Sequence, residues 1–325
     1  MRLLVTGGHG FIGSHVLRQL VDAGHEVTCF DIAETSPIAA SVANETTFVR
    51  GDVTDPVAVY DTVAATAPDR IIHLASLLGR PSELSPRRAY DVNVTGTINV
   101  LEAAVTFDIE RVVAASSVAA YGSVPDSVAR LDETVVQQPR NVYGVTKYTV
   151  ERLGRTYENR HDVPFVAIEP VHGIGPDRVR GNVEDAYLIK AAVDRTPLTV
   201  PNVDRPYEPI YVGDEARAFV VAAVADDVDL DHDRYVIGTG ELITLADIAE
   251  WLRDLIPDAE INIADRRADD EFEGLPPTDT SRIEADLGWE PTLRPGQAVE
   301  TYVEWLRTTP NAWSIDPEDA PWSFG

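Results

Sequence analysis

Tyr143 and Lys147 lie four residues apart in the segment YGVTK, at the start of a stretch whose spacing predicts a helix over 142–160. At that separation both side chains leave one face of the helix. A phenol with an ammonium beside it is an acid–base group, because the positive charge favours phenolate and draws the tyrosine pKa down from about 10. Lysine is scarce here: the chain contains only Lys147 and Lys190 and otherwise uses arginine. An ammonium at this place therefore answers a specific need. A hydroxyl to complete the site is available in VVAASSVAAYG, where Ser116 and Ser117 fall at the end of an expected strand beginning at Arg111. Open α/β sheets bind ligands beyond the carboxyl ends of their strands.

The opening residues, MRLLVTGGHGFIGSHVL, provide a cofactor for such a site. Leu3, Leu4 and Val5 form a short apolar run suited to a buried parallel strand, and Phe11, Ile12, Val16 and Leu20 recur at roughly helical spacing. Between them Gly8, Gly10 and Gly13 fit GxGxxG, while Thr6, Gly7, Gly10 and Gly13 fit the TGxxGxxG variant. Without side chains the turn can be tight and the backbone can approach a diphosphate, to which the helix N-terminus presents N–H donors and positive potential. A second strand, HEVTCFD, ends at Asp31, about 20 residues on, where a carboxylate accepts hydrogen bonds from the adenosine ribose and repels a 2′-phosphate. Neither Arg nor Lys occurs between Asp31 and Arg50 to neutralise such a phosphate. The expected cofactor is NAD rather than NADP.

The elements that must position these groups are legible in the alternation of patterns. Strand-like TTFVR, RIIHLA, RVVAAS and FVAIEP are separated by helices expected at 55–66, 86–106 and 142–160. Regular βα alternation predicts an α/β fold, a Rossmann-type doubly wound parallel sheet with helices on both faces. Residues 1–180 are expected to form this NAD-binding domain, with some later segments returning to it. The rhythm then changes to helical VEDAYLIKAAVD, a turn-rich stretch at 195–209, and helices near 213–225, 244–256 and 295–307. Residues 181–325 are thus expected to form a smaller mixed α/β substrate lobe and tail. The run DDVDLDHD at 226–233 lacks the Gly and distal Glu of a calcium loop and reads as a solvated acidic loop.

Composition narrows the partners. The 325 residues can bury a large core. No apolar run of about 18 residues is present to cross a bilayer, and the first residues read as a strand rather than a leader, which points to a cytoplasmic protein. The single cysteine, Cys29, excludes a disulfide framework or CxxC site. With 54 acidic residues against 27 basic ones the net charge is −27. Such a surface repels phosphate backbones and anionic lipid, so nucleic acid and membranes are not expected partners. Acidic excess with almost no lysine resembles proteins of extreme halophiles, where salt screens the self-repulsion.

TGGHGFIG, Asp31, GDV at 51–53, HLAS at 73–76, Asn93, SSVAAYG and YGVTK together resemble the extended short-chain dehydrogenases, the NAD-dependent epimerase/dehydratase family. The likeness runs nearly end to end: IYVGDEARA at 210–218 resembles the family's IHVDDVARA, and DTSRIEADLGWEPT its C-terminal LGW.P signature. The resemblance implies that Gly7, Gly10, Phe11, Ile12 and Gly13 cradle the diphosphate. It places Asp52 and Val53 around adenine and Leu74, Ala75 and Ser76 along the cofactor channel. Asn93, Ser116 and Pro170 join the cofactor site. Lys147 also holds the nicotinamide ribose, and Ser117, four residues before Tyr121, becomes the catalytic hydroxyl. Tyr143 then takes a proton from a substrate hydroxyl, Ser117 binds the same oxygen, and the carbon gives its hydride to nicotinamide, with no need for a metal ion. A homodimer is implied as well.

The departures bear on substrate. Nucleotide-sugar members of the family typically carry LRxxN and RDFIHV, where this chain has IEPVH and YEPIY. Glu169 and Tyr207 therefore stand where arginines are usual, the second of which commonly holds the substrate's β-phosphate. Arg178 and Arg205 are nearby replacements, and His172 replaces the usual Asn. Leu77, Ser117, His172 and Arg178 are the expected substrate contacts. The leading expectation is an NAD-dependent dehydrogenase of a free sugar, small polyol or hydroxy acid, with a nucleotide-sugar 4-epimerase as the alternative. Dehydration is disfavoured because Val118 and Ala119 follow Ser117 where an Asp-Glu pair is usual. A non-catalytic NAD-sensing regulator keeps the glycine loop but loses the Tyr and Lys, and both are present.

Overall fold

The computed structural model describes residues 1–34, 36–178, 183–202, 206–225, 232–267, 274–310 and 313. In the first half, strands and helices alternate as β1 (Arg2–Thr6), α1 (Phe11–Asp22), β2 (Glu26–Asp31), a short α2 (Pro37–Ala40), β3 (Thr46–Arg50), α3 (Pro56–Thr66) and β4 (Arg70–His73). Then come short α4 (Gly79–Leu84) and α5 (Pro86–Ala89), α6 (Gly96–Thr106), β5 (Arg111–Ala115), α7 (Val142–His161) and β6 (Phe165–Pro170). The second half contains β7 (His172–Ile174), α8 (Glu184–Asp194), β8 (Leu198–Asn202), β9 (Pro209–Tyr211), α9 (Val212–Val224) and β10 (Arg234–Ile237). It closes with α10 (Leu245–Leu255), β11 (Ile261–Arg267), α11 (Ser281–Leu287) and α12 (Pro295–Thr308).

Seven strands form one parallel sheet in the order β10-β6-β5-β4-β1-β2-β3. The chain winds outward from β1 through β2 to β3, then crosses back to β4 on the other side of β1. That reversal opens a crevice beyond the carboxyl ends of β1 and β4, which is where such sheets take a dinucleotide. Leu3, Val5 and Ile72 face one core with α1 and α9, whereas Leu4, Ile71 and Val112 face another with α3, α6 and α7. Alternation along each strand thus feeds two apolar layers, as a sheet covered on both faces requires.

A third core is built from α8, α10, α12 and the parallel pair β8 and β11, with Leu188, Ile248, Leu252, Tyr302 and Leu306 at its centre. Later segments also pack on the sheet: α9 covers one face, β10 extends the edge, and Ile283 and Trp289 enter the first core. The expected helix over 86–106 is divided by a π-helical turn at Tyr90–Thr95, whose extra residue turns Asn93 inward. The stretch at 195–209 read as turns contains β8 and the start of β9, held by pairing with β11 and β7. Local pattern gives no warning of that pairing, because the partners lie far along the chain. Of the acidic run, 226–231 lie outside the described residues, while Asp233 pairs with Arg155 at 2.6 Å.

Candidate active site

The start of α7 is fixed by Asn141, whose side chain accepts from the Gly144 N–H at 2.7 Å. Gly144 is needed for close packing: a β-carbon there would lie 2.3 Å from the Ala119 carbonyl oxygen in the turn after β5. Helix and turn therefore meet backbone to backbone, and the Ser117 hydroxyl forms a hydrogen bond with the Tyr143 hydroxyl. Ser117 Oγ also accepts from the Ala119 N–H at 3.1 Å, so its orientation is set from two sides. One turn further along α7, Lys147 Nζ donates to the Ala115 carbonyl at 2.8 Å and lies 5.6 Å from the centre of the Tyr143 ring. The three residues singled out for chemistry are brought together.

Their protonation differs from the sequence expectation. Burial pushes the Tyr143 phenol up to about 12, against the opposing pull of Ser117 and Arg178. Burial pushes Lys147 down to about 7, partly offset by Glu151. Desolvation is thus the largest influence on both groups in the protein alone. A positively charged nicotinamide ring held beside the phenol would favour its phenolate.

Ser116 faces the other way. Its hydroxyl donates to Glu151 Oε1 beneath the cleft, leaving only its backbone for a cofactor. Gln137 Nε2 bridges Glu151 Oε2 at 2.7 Å and Glu169 Oε1 at 3.2 Å, while Tyr121 donates to Glu169 Oε2 at 2.7 Å. Arg234 from β10 completes the group, 3.2 Å from Glu169 and 3.8 Å from Glu151. Burial raises both carboxyls above the usual range. Glu169 is fully buried and forms part of the floor. Its departure from arginine does not bear on substrate contact, which corrects the expectation drawn from IEPVH.

The glycine loop fits a dinucleotide. Gly7 adopts φ +73°, and a β-carbon on it would lie 2.7 Å from the Ala75 amide nitrogen, across the crevice between β1 and β4. A β-carbon on Gly13 would lie 2.1 Å from the Gly7 carbonyl oxygen, so the loop closes only without side chains. Phe11 and Ile12 open α1 and remain partly exposed at its N-terminus. Asp31 at the end of β2 accepts from the His9 N–H at 2.9 Å, holding its carboxylate at the edge of the loop. Exposed Asp52 accepts from Thr54, and Val53 lies buried beside it against Gly96. Leu74 and Ala75 continue from β4 over Thr6, with Pro170 at the end of β6.

Asn93 holds the loop rather than presenting a free side chain. Its Oδ1 accepts from the Leu77 N–H at 2.7 Å and Ser76 Oγ at 3.2 Å, and its Nδ2 donates to the Leu77 carbonyl and Thr146. All four hydrogen-bonding positions of the amide are filled within the protein. It thereby ties the Ser76–Leu77 segment to α7.

On the substrate side, His172 Nε2 pairs with Asp185 at 2.7 Å and its Nδ1 faces Arg178 at 3.4 Å. Burial pushes Asp185 up, but His172 and Arg178 outweigh it and leave the carboxyl below its usual range. Tyr207 packs edge-on against the His172 ring at 5.0 Å, and its buried hydroxyl has no hydrogen-bond partner among the described residues. Arg205 lies outside the described residues. Sequence reasoning passed over Asp185, Glu83, whose carboxyl accepts from the Tyr143 N–H at 3.2 Å, and Glu215, buried beside the cleft. Only Glu215 carried a signal, standing where the IHVDDVARA pattern has Val.

The model of the NAD dependent epimerase/dehydratase family matches residues 3–238. A UDP-glucose 4-epimerase of Halalkalibacterium halodurans is 28% identical, over 98% of this chain and 99% of that protein. One from Lacticaseibacillus casei is also 28% identical, over 96% and 99% respectively. Among solved structures, the UDP-glucose 4-epimerase of Thermus thermophilus in complex with NAD is 25% identical with a TM-score of 0.84, covering 94% of this chain and 99% of that one. Among the described residues no helix is long and apolar enough to cross a membrane.

Proposed function

The chain belongs to the NAD dependent epimerase/dehydratase family, and from that membership we propose that it inverts a carbinol carbon of a nucleotide sugar, as a 4-epimerase does. The family's chemistry uses NAD, which supplies a hydride acceptor beside Tyr143 when bound. The protein's own part is positional and acid–base. Ser117 holds the reacting oxygen, Tyr143 accepts its proton and later returns it, and Lys147 helps keep the phenol ready to cycle.

The observation that carries the reading is the position of Arg178. Its guanidinium lies 3.4 Å from His172 Nδ1, whose ring packs on Tyr207 at the altered phosphate position, and 5.2 Å from the centre of the Phe11 ring, and its charge acts on Tyr143. A guanidinium there suits the diphosphate of a nucleotide sugar whose sugar reaches Tyr143. Holding the diphosphate also lets the oxidised sugar turn over before the proton and hydride return. The curated relatives of this chain support the same choice over free-sugar oxidation.

Free-sugar oxidation is the second reading, favoured by the Tyr207 hydroxyl in place of an arginine. Incubation with UDP-glucose and UDP-galactose, analysed for interconversion, tests the proposal. Epimer formation without net NADH supports it. Accumulation of NADH from free sugars, with both nucleotide sugars returned unchanged, overturns it.

A further inference from the structure

Three successive turns of α7 grip the end of β5. Tyr143, Lys147 and Glu151 follow one another at four-residue spacing, so their side chains form one stripe along the helix. Each engages a different one of three consecutive residues. Tyr143 bonds to the Ser117 hydroxyl, Lys147 Nζ donates to the Ala115 carbonyl at 2.8 Å, and Glu151 Oε1 accepts from the Ser116 hydroxyl between them. Ser116 is also where the strand lets go: its N–H donates to the Ile168 carbonyl of β6 at 2.8 Å, and Ser117 then caps the short turn at Val118–Ala120. Glu151 is buried and fixed from behind, with Oε2 accepting from Gln137 at 2.7 Å and Arg234 at 3.8 Å. Apolar groups in place of such a buried ionic cluster are often neutral or stabilising, so stability alone does not call for a carboxyl here.

We propose that Glu151 is a positioning residue for the chemistry assigned above to Ser117, Tyr143 and Lys147, on which its role rests: by gripping Ser116 it sets the end of β5 at the spacing where Ser117 meets Tyr143 and the Ala115 carbonyl meets Lys147. The hydroxyl that binds the reacting oxygen and the carbonyl that anchors the amine are the immediate neighbours of the gripped residue. A shift of Ser116 therefore moves both at once, and small misplacements at a reacting centre are costly.

The grip also brings a charge beneath the site. Burial pushes Lys147 down to about 7, and Glu151 draws it the other way, so loss of the Glu151 charge lowers the point at which Lys147 titrates. Both oxygens of Glu151 accept hydrogen bonds, as those of a carboxylate do, and the proton of the floor pair falls to Glu169 on β6, which burial and the Glu151 charge push well up. Burial pulls Arg234 on β10 down, but Glu169, Tyr121 and Glu151 outweigh it and leave the guanidinium above its usual range. Glu133, bonded to the Val236 N–H of β10, is raised by burial. On β4, burial and Lys147 push His73 down to about 3. Tyr143 lies up at about 12, with Glu215 of α9 and Arg178 acting on it from across the cleft and Glu83 of α4 at its N–H.

Because the chain has two lysines, protein grown on lysine labelled with carbon-13 at Cε gives two side-chain NMR signals, and Lys190→Arg identifies that of Lys147. An amine anchored on a carbonyl keeps its two Hε protons inequivalent, whereas a released one averages them. Glu151→Leu is expected to narrow the Hε separation of Lys147 and to lower its titration midpoint. Glu151→Gln, which keeps an acceptor for Ser116, retains the separation while lowering the midpoint. Ser116→Ala removes the grip from the other side and narrows the separation, which decides the matter even if Glu151→Leu does not fold. With UDP-galactose, Glu151→Leu lowers kcat by about fivefold or more at a KM near wild type, and Glu151→Gln recovers part of the loss. Wild-type Hε separation in Ser116→Ala or Glu151→Leu overturns the proposal, as does an unmoved Lys147 midpoint in Glu151→Gln or a wild-type kcat in Glu151→Leu. Failure of the wild type to turn over either nucleotide sugar counts against the epimerase reading alone, since the lysine signals report on Glu151 without any substrate.

Discussion

Lys147 and Tyr143 occupy successive turns of α7, with the amine 5.6 Å from the centre of the phenol ring and hydrogen-bonded to the Ala115 carbonyl. The lysine is held by β5 while it faces the tyrosine, so strand and helix are joined at the reacting centre.

Replacement of Tyr143 by Phe removes the proton relay without disturbing the helix. Turnover should fall by about 10²-fold or more, with NAD affinity close to wild type by calorimetry. Turnover within a factor of about two of wild type would remove Tyr143 from the mechanism.

Lys147 also makes a prediction about stability. Its folded value, about 7, lies below the 10.5 of an unperturbed lysine, so between those values the unfolded chain binds more protons. Its contribution therefore makes folding more favourable as pH rises through that window. Lys147→Met lacks this contribution. Urea unfolding of both proteins from pH 7 to 10 should show wild type gaining stability relative to the variant, and a constant difference would contradict the assigned burial.

Adjacent serines should separate by phenotype. Ser117→Ala removes the bond to Tyr143 and should lower kcat by about tenfold or more, with little change in melting temperature. Ser116→Ala deprives the buried Glu151 of a donor and should cost about 1–3 kcal/mol of stability. Equal effects of the two substitutions on kcat would contradict the opposed directions of their hydroxyls.

If Asp31 sets cofactor preference, NAD should be favoured over NADP by at least about tenfold, or about 1.4 kcal/mol. Arg50 lies opposite Asp31 in the β2–β3 register, with its guanidinium 3.4 Å from the Ile32 carbonyl. A cation is therefore already close to the ribose edge. Asp31→Ser alone should move the ratio of kcat/KM toward NADP, and an unchanged ratio would place discrimination elsewhere.

The charge of −27 predicts dependence on salt. The Debye length grows from about 3 Å at 1 M to about 30 Å at 0.01 M, so dilution lets surface carboxylates across the molecule repel one another. Unfolding midpoints followed by circular dichroism should rise with potassium chloride from 0.05 to 3 M. A flat response would show that the acidic surface is locally compensated.

The parallel sheet and the Ser117, Tyr143 and Lys147 cluster were legible because each depends on short-range pattern. An apolar run bounded by glycine makes β1, and four-residue spacing puts two side chains on one helix face. What pattern could not supply was long-range partnership. Glu169 reads as a lost arginine until β10 brings Arg234 to it, and Asn93 reads as a ligand contact until the π turn buries its amide. The protonation of Tyr143 departs from the spacing-based expectation for a related reason: charge proximity is visible in spacing, but desolvation depends on everything packed around the group.

The ion pair between Glu169 and Arg234 spans 65 residues and links β6 to the edge strand β10. During synthesis, β6 is complete well before Arg234 emerges. A nascent chain ending after β6 thus contains Ser117, Tyr143 and Lys147, the residues proposed for catalysis, yet its two floor carboxyls lack their cation. Closing that floor requires a distant contact, which is slow to form. The last strand to join the sheet is therefore the one that completes the support beneath the end of β5, and chains truncated before it should emerge as unstable intermediates.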